Sequence, residues 1–225
     1  MISHLINIGF PNNCVSCENT LVRNEKFICS NCLFFIPKSD KQLSINSKTS
    51  KLLDASPIFM GASYVFDFDK DGKTQHLMHE LKYNSNLKLG VYLGEIIGID
   101  FKEQLQDIDF IVPVPLHPKK LYKRGYNQSE LLCQGIKVQV EKEINTNNLK
   151  RIKFTETQTK KNKTERIKNI KDAFEYTNNN LFEYKTILLV DDVITTGSTL
   201  NECLKALATI KGIRVKVLCL AKAAF

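Results

Sequence analysis

The side chains with the clearest chemical potential lie in one stretch near the carboxyl end of the chain, residues 187–200. An apolar run leads there to two adjacent carboxylates, Asp191 and Asp192, and then to a cluster of hydroxyl-bearing and small residues: Thr195, Thr196, Gly197, Ser198 and Thr199. Hydroxyl and backbone N–H groups at the start of a helix bind anions such as phosphate. Carboxylates beside a phosphate suit a ligand that also carries neutral hydroxyls, contacted directly or through a divalent cation. The stretch therefore predicts a sugar-phosphate site.

A simpler interpretation of this stretch is a strand, a turn and a helix with a good N-cap and two solvated aspartates. A helix cap needs only one Ser or Thr. That interpretation leaves most of the stretch unexplained, so we favour the sugar-phosphate site.

A second chemically capable group lies near the amino end, where four of the seven cysteines form two Cys-x-x-Cys pairs: Cys14, Cys17, Cys29 and Cys32. Two intervening residues allow both sulfurs of a pair to bind one ion, and two pairs complete a tetrahedral shell that suits zinc. A closed shell leaves no position for catalysis, so the zinc is expected to be structural and to supply folding energy. Two disulfides are the alternative in a secreted chain, and four reduced structural cysteines are the alternative elsewhere.

Composition is that of an ordinary globular protein: 225 residues, 43% hydrophobic and 25% charged. The length suits one domain with a small appendage. No run of about 18 uncharged apolar residues is present, so membrane insertion is not expected. The start of the chain lacks the basic and apolar regions of a signal peptide. These features predict a cytoplasmic protein, in which the remaining three cysteines are buried core thiols.

The elements that position the predicted site alternate between strands and helices. Apolar or alternating runs predict strands at 58–66, 109–113, 186–190 and 212–221. Helical spacing predicts helices at 73–84, 87–105, 127–140 and 198–210. This order is typical of an α/β fold with a mostly parallel sheet flanked by helices, in which ligands bind at the carboxyl ends of the strands. The predicted division is a zinc-binding module (1–37), a polar linker (38–56) and a main domain (57–225).

Residues 187–200 resemble the phosphoribosyl-pyrophosphate (PRPP) signature of type I phosphoribosyltransferases. The chain as a whole resembles the ComF family, bacterial proteins linked to DNA uptake in natural transformation. That family joins a four-cysteine zinc module to a phosphoribosyltransferase-like domain. Besides the cysteines and the PRPP signature, the resemblance rests on three stretches: Val112-Pro-Val-Pro115, Lys123-Arg-Gly-Tyr-Asn-Gln128, and the set of Arg151, Gln158-Thr159, Arg166, Asn169 and Ala173-Phe174.

The resemblance implies a role for each part of the signature. Asp191 and Asp192 contact the ribose hydroxyls. The 5′-phosphate is wrapped by the segment that follows the strand end at Val190: Thr195, Thr196, Gly197, Ser198 and Thr199.

Further residues are placed by the resemblance around the pyrophosphate of PRPP. Val114 and Pro115 belong to the pyrophosphate loop, and Lys123 and Arg124 supply cations there. Arg166 belongs to a segment near 151–171 that forms a mobile hood over the site in working enzymes. The residues expected to carry catalysis are Asp191, Asp192, Lys123 and Arg124.

The implied reaction is attack of a nucleophile on C1 of the ribose as pyrophosphate leaves. Mg²⁺, bound with PRPP, and the cations stabilise the departing pyrophosphate. The sequence favours PRPP binding, names no acceptor and leaves turnover open. The alternative is a non-catalytic module on the same fold that binds single-stranded DNA or a competence partner. PRPP, single-stranded DNA and other competence proteins are therefore the expected partners.

The positive charge of the chain, a formal +8, is concentrated in two segments. Residues 150–171 carry nine Lys or Arg against two Glu, and residues 117–124 carry four Lys or Arg and no acid. Tyr122 and Tyr126 interleave with the second group, a mixture that can stack and pair with a nucleic-acid strand. We favour a pyrophosphate loop with hydrophobic anchors. His117, beside the proline loop, is a further site candidate.

Overall fold

The computed structural model describes most of the chain, namely residues 12–53, 56–68, 72–83, 86–154, 171–177 and 180–223. Within these residues, the strands are β1 (Phe59–Phe68), β2 (Phe110–Pro113), β3 (Glu143–Ile144), β4 (Leu149–Arg151), β5 (Phe174–Tyr176), β6 (Thr186–Ile194) and β7 (Arg214–Ala223). The α-helices there are α1 (Ser30–Phe35), α2 (Lys73–Tyr83), α3 (Leu87–Phe101), α4 (Pro118–Arg124), α5 (Gln128–Val140) and α6 (Ser198–Leu207). Short 3-10 helices cover Ser50–Leu52 and Lys102–Leu105.

Five parallel strands form the central sheet in the order β1-β7-β6-β2-β3, and β4 and β5 form a separate antiparallel pair. The predicted α/β class with a mostly parallel sheet is thus confirmed. Parallel strands are buried on both faces, which explains the near-continuous apolar runs of β6 and β7. Along β6, Leu188 and Val190 face one hydrophobic core while Ile187 and Leu189 face the other.

Each face of the sheet is covered by different elements. The core on one face joins α2, α3 and α5 to the cysteine segment, and the other core joins α6 to the region around Phe182. Three cysteines outside the four-cysteine cluster are fully buried, as expected: Cys133, Cys203 and Cys219. Within the described residues, no helix is long and apolar enough to cross a membrane.

The predicted elements differ from the observed ones mainly at their ends. The strand predicted to end at 190 continues to Ile194, so the acidic pair lies within β6. The helix predicted over 87–105 ends at Phe101 and continues as a 3-10 turn. Helix α4 was not predicted, although Pro118 in its first turn and Gly125 just past its end are typical of helix termini.

The polar segment predicted as a linker lies against β1 along residues 38–53. Ser47 donates a hydrogen bond from Oγ to the carbonyl oxygen of Ala62 (2.6 Å), and the amide of Ala62 donates to Ser50 Oγ (2.8 Å). Both serines are buried. These bonds satisfy backbone groups of an edge strand. The division into module, linker and main domain remains a prediction.

Candidate functional site

The four cysteines of the amino-terminal segment converge in space. Their Sγ atoms all lie within 4.8 Å of one another, and the Sγ atoms of Cys17 and Cys29 are 3.8 Å apart. A tetrahedral shell with Zn–S bonds of about 2.3 Å has sulfur–sulfur separations of about 3.8 Å. The cluster can hold a metal ion, and its donor set and geometry fit zinc.

Backbone N–H groups donate hydrogen bonds to two of these sulfurs and so favour their thiolate form. The amide of Cys29 donates to Cys14 Sγ (3.3 Å), and the amide of Cys32 donates to Cys29 Sγ (3.4 Å) at the start of α1. Burial raises the pKa of Cys14, but backbone N–H donors outweigh it and lower the pKa to about 7. Burial and the neighbouring thiols raise the pKa of Cys32 to about 12. A divalent cation stabilises thiolates that burial and mutual repulsion disfavour.

The cysteine segment packs into the main body. Cys14, Cys29 and Cys32 belong to the same core as α3. The rings of Phe27 and Tyr92 lie 5.5 Å apart between centroids. The segment therefore relies on the α/β body as well as on its sulfurs.

At the carboxyl end of β6 the two carboxylates of the acidic pair have different partners. Asp191 Oδ1 accepts from Ser129 Oγ (3.2 Å) and from the amide of Asp192 (2.9 Å). Asp192 Oδ2 lies 3.1 Å from the Nζ atom of Lys82, at the end of α2. Burial, and then the charge of Asp192, raises the pKa of Asp191 to about 7. Near neutral pH this carboxyl can both donate and accept hydrogen bonds, which suits a hydroxyl-bearing ligand.

The hydroxyl-rich segment forms a tight turn into α6. Gly197 has a left-handed φ of +76°, and the Oγ1 of Thr196 and the Oγ of Ser198 lie 2.7 Å apart. A Cβ at Gly197 would lie 2.5 Å from the carbonyl oxygen of Leu52, so the turn packs closely against residues 52–53. Backbone amides and hydroxyls thus meet at the N-terminus of α6, as an anion site requires.

Three half-buried cations face this region from two other elements: Lys120 and Arg124 on α4 and Arg151 at the end of β4. Burial, followed by the positive charges of Arg151 and Arg124, lowers the pKa of Lys120 to about 8. Burial also lowers the pKa of Arg151, against the opposing negative charge of Asp191. The three cations therefore lie close enough to affect one another's pKa values, and the pKa of Arg151 also depends on the charge of Asp191.

A buried amide adds a further donor beside these cations. Arg124 donates from Nη1 to Gln128 Oε1, while the Nε2 group of Gln128 has no hydrogen-bond partner among the residues that the structure describes. Gln128 is 2% exposed. A buried donor without an acceptor is costly, so this amide and the adjacent guanidinium fit an anionic ligand such as a phosphate.

The proline loop enters the site as the continuation of β2. The amide of Val114 donates to the carbonyl oxygen of Val190 (2.8 Å), and Asn127 Nδ2 donates to the carbonyl oxygen of Val114 (3.1 Å). Pro115, which follows, is half-buried. His117, a site candidate from the sequence, is the N-cap of α4: its Nδ1 accepts a hydrogen bond from the amide of Lys119 (3.2 Å).

The structure thus brings together the acidic pair, the turn of 195–199, the proline loop and Arg124. Lys123 is exposed, and Arg166 lies outside the described residues. Lys82, Lys120 and Ser129 were not identified from the sequence. Lys120 belongs to the basic run already noted, but nothing in the sequence distinguishes it from its neighbours. Lys82 and Ser129 have no signal at all, because they approach the acidic pair from other helices. The roles assigned to individual site residues remain predictions.

Comparison with known proteins supports the class of fold. Residues 137–224 match the family model of the phosphoribosyl transferase domain. Competence protein F of Haemophilus influenzae is 41% identical over 153 residues, which are 65% of this chain and 67% of that protein. DNA utilization protein YhgH of Escherichia coli is 27% identical over 220 residues, 96% of this chain and 92% of that protein.

Among solved structures, adenine phosphoribosyltransferase from Leishmania donovani aligns with 83% of this chain and 86% of its own at 13% identity. The TM-score of that alignment is 0.40. The parallel sheet and the matched domain define a phosphoribosyltransferase-like protein with a four-cysteine segment ahead of it. Within that class, the chain belongs to the competence protein F, or ComF, family.

Proposed function

We propose that this chain binds PRPP at the carboxyl edge of its sheet, together with Mg²⁺, and transfers the phosphoribosyl group to an acceptor in the context of DNA uptake. One observation carries the proposal: an acidic pair, a hydroxyl-rich helix start and a group of half-buried cations converge in one place. PRPP carries ribose hydroxyls, a 5′-phosphate and a pyrophosphate, which match those three parts in turn.

In this proposal each part of the site binds one part of PRPP. Asp191 and Asp192 accept hydrogen bonds from the ribose hydroxyls, and the turn of 195–199 holds the 5′-phosphate. The proline loop with Lys120 and Arg124 receives the pyrophosphate and offsets the charge that develops as it leaves. Mg²⁺ supplies further charge neutralisation through the phosphate oxygens, which are ligands that it prefers.

The same proposal assigns a structural zinc to the four cysteines and a cytoplasmic location to the protein. A reducing compartment keeps thiols available for metal. In this proposal the metal stabilises the predicted module (1–37), and the predicted main domain (57–225) binds PRPP. The predicted linker (38–56) joins the two.

The test is titration calorimetry with PRPP and MgCl₂ on the wild type and on the double variant Asp191→Asn/Asp192→Asn. The amides keep the shape of the carboxyls but lose their charge, so we expect affinity to fall about 100-fold, as for two lost charged hydrogen bonds. Asp107→Asn is the matched control, because Asp107 precedes β2 and lies at the opposite edge of the sheet. Absence of PRPP binding in the wild type would refute the proposal.

Turnover needs a separate measurement. Release of pyrophosphate from PRPP in the presence of candidate acceptors separates an enzyme from a protein that only binds PRPP. Saturable binding with no release for any acceptor would favour the non-catalytic alternative.

A second candidate function, binding of single-stranded DNA, is favoured by the aromatic and basic surface of α4. Tyr122 is 93% exposed beside the exposed Lys123, and the Nζ atom of Lys119 lies 5.4 Å from the centroid of the Phe154 ring. Exposed rings among cations bind nucleic-acid strands by stacking and charge. If this surface binds DNA, Tyr122→Ala should weaken oligonucleotide binding while the Asp191/Asp192 variant leaves it intact. Binding should also weaken steeply with salt.

A further inference from the structure

The acidic pair has a cationic partner, Lys82, that the proposed function does not use. Its Nζ atom lies 3.1 Å from Asp192 Oδ2, and the two side chains are only 27% and 17% exposed. The surface pair of Lys205 and Asp172 differs, with side chains 58% and 56% exposed. The Lys82–Asp192 pair is therefore largely withdrawn from water.

The surroundings fix the position of Lys82. Leu81 beside it is fully buried, and its carbonyl oxygen accepts from Tyr126 Oη (2.9 Å). The guanidinium of Arg124 lies 5.8 Å from the centroid of the Tyr83 ring. The end of α2 is thus tied on both sides of Lys82 to the segment that carries the proposed pyrophosphate contacts.

Stability alone is a weak reason for such a pair. The free energy needed to remove two charges from water is about as large as the free energy gained from their attraction. Apolar residues of similar size therefore often stabilise a fold as much as a buried ion pair does. A functional reason is available, because two adjacent carboxylates repel each other and both must stay in place to accept hydrogen bonds from the ribose hydroxyls. One fixed ammonium group offsets that repulsion at the point where the ribose must approach.

Lys82 is well placed for this among the groups that face the acidic pair. Among the described residues, those groups come from five elements: Lys82 on α2, Ser129 on α5, Arg151 on β4, Cys203 on α6 and Cys219 on β7. Burial keeps the pKa values of the two thiols well above the usual range, so the thiols are neutral. Arg151 acts on Asp191, whereas Lys82 contacts Asp192 directly.

We propose that Lys82 is a positioning residue for the ribose of the bound sugar phosphate: its ion pair fixes the carboxylate of Asp192 and offsets the negative charge of the acidic pair. This inference rests on the proposed function and adds a residue from a distant helix to that site. Lys82 acts through Asp192, so its contribution should disappear when the charge of Asp192 is removed.

The experiment is a double-mutant cycle measured by calorimetry with PRPP and MgCl₂ on wild type, Lys82→Met, Asp192→Asn and the double variant. We expect Lys82→Met to weaken PRPP binding about tenfold, as for one lost charged contact, and to add less than about twofold in the Asp192→Asn background. Lys82→Arg should restore most of the affinity. Lys88→Met, an exposed lysine on α3, is the control and should change nothing.

Inorganic pyrophosphate provides a readout that a purely structural role would not move. It lacks ribose, so its affinity should change less than about twofold in Lys82→Met if Lys82 acts on Asp192 rather than as a general cation. Thermal melting of every variant checks that each is folded. Equal losses for PRPP and pyrophosphate, or additive losses in the cycle, would overturn the inference. A wild type that binds no PRPP would overturn the proposed function as well, and the two failures are therefore distinguishable.

Discussion

The cysteine cluster and the site at the end of β6 are built in opposite ways. The cluster takes its donors from one short segment, between Cys14 and Cys32, and closes them around a space that fits one ion. The β6 site collects its groups from α2, α4, α5, β4 and the turn before α6. One is built from residues close together in the sequence, and the other from residues far apart in it.

This difference shows what each region demands from the rest of the fold. Four thiolates around a cation take their geometry from two turns of one segment, although that segment also packs against α3. A sugar phosphate needs donors, acceptors and cations at set distances from one another, and only a rigid sheet with packed helices provides that. The comparison leads to four predictions, given in order of decreasing effect.

The largest effect is expected when the cluster loses a ligand. Cys32→Ser removes a fully buried thiol from the four-cysteine set, so we expect metal content to fall from about one ion per chain to almost none. The melting temperature should fall as well, because three of these cysteines share the core of α3. Elemental analysis and thermal melting measure both quantities.

Cys133→Ala is the matched control for that variant, because Cys133 is an equally buried thiol outside the cluster. It should keep the metal. If Cys32→Ser also keeps a full complement of metal, the cluster is not a closed four-sulfur site and the contrast between the two regions fails.

The second effect concerns the turn that begins α6. In Gly197→Ala the alanine must adopt a left-handed φ of +76°, and its Cβ would lie only 2.5 Å from the carbonyl oxygen of Leu52. The free energy of unfolding should therefore fall by roughly 3 kcal/mol. Gly125→Ala shares the positive φ but has no atom within 4 Å of its Cβ. It should cost only about 1 kcal/mol. Urea unfolding measures both values, and equal losses would mean that close packing against residues 52–53 does not hold the turn.

The third effect is a pH dependence at the cations of the β6 site. Lys120, with a pKa of about 8, is charged below that pH and neutral above it, so its attraction for an anion is lost as pH rises. Between pH 7 and 9 we expect pyrophosphate affinity to fall about fivefold more in the wild type than in Lys120→Arg, which stays charged. Comparison at each pH removes the titration of pyrophosphate itself. Parallel profiles would contradict this role for Lys120.

The smallest effect is expected outside both regions. Lys205 and Asp172 form an ion pair at 2.7 Å, but both side chains are more than half exposed. Water and salt screen such a pair. Lys205→Met should therefore leave the unfolding midpoint and PRPP affinity unchanged within error, whereas the withdrawn pair of Lys82 and Asp192 should not tolerate the same change. A large effect of Lys205→Met would show that side-chain exposure does not predict which of these two ion pairs contributes to stability or binding.

Much of the fold was predictable because its signals are local. The apolar runs of β6 and β7 and the helical spacing of α5 predicted their elements correctly, since each pattern reflects burial of a strand or helix face. The two-residue β3 and the β4–β5 pair were missed. Such short elements contain too few residues to show a period, and they form because the completed sheet and core offer them partners.

The sequence by itself determined the class of fold, the four sulfur donors and the succession of carboxylates, hydroxyls and glycine that ends β6. Each of these signals is a pattern within a short stretch of the chain, so spacing alone carries the information. Only the tertiary structure decided that Lys82 contacts Asp192, that Ser129 contacts Asp191 and that Lys120, unlike Lys123, is half-buried. Those contacts join residues far apart in sequence, and they depend on how helices pack on the sheet, which no local pattern records.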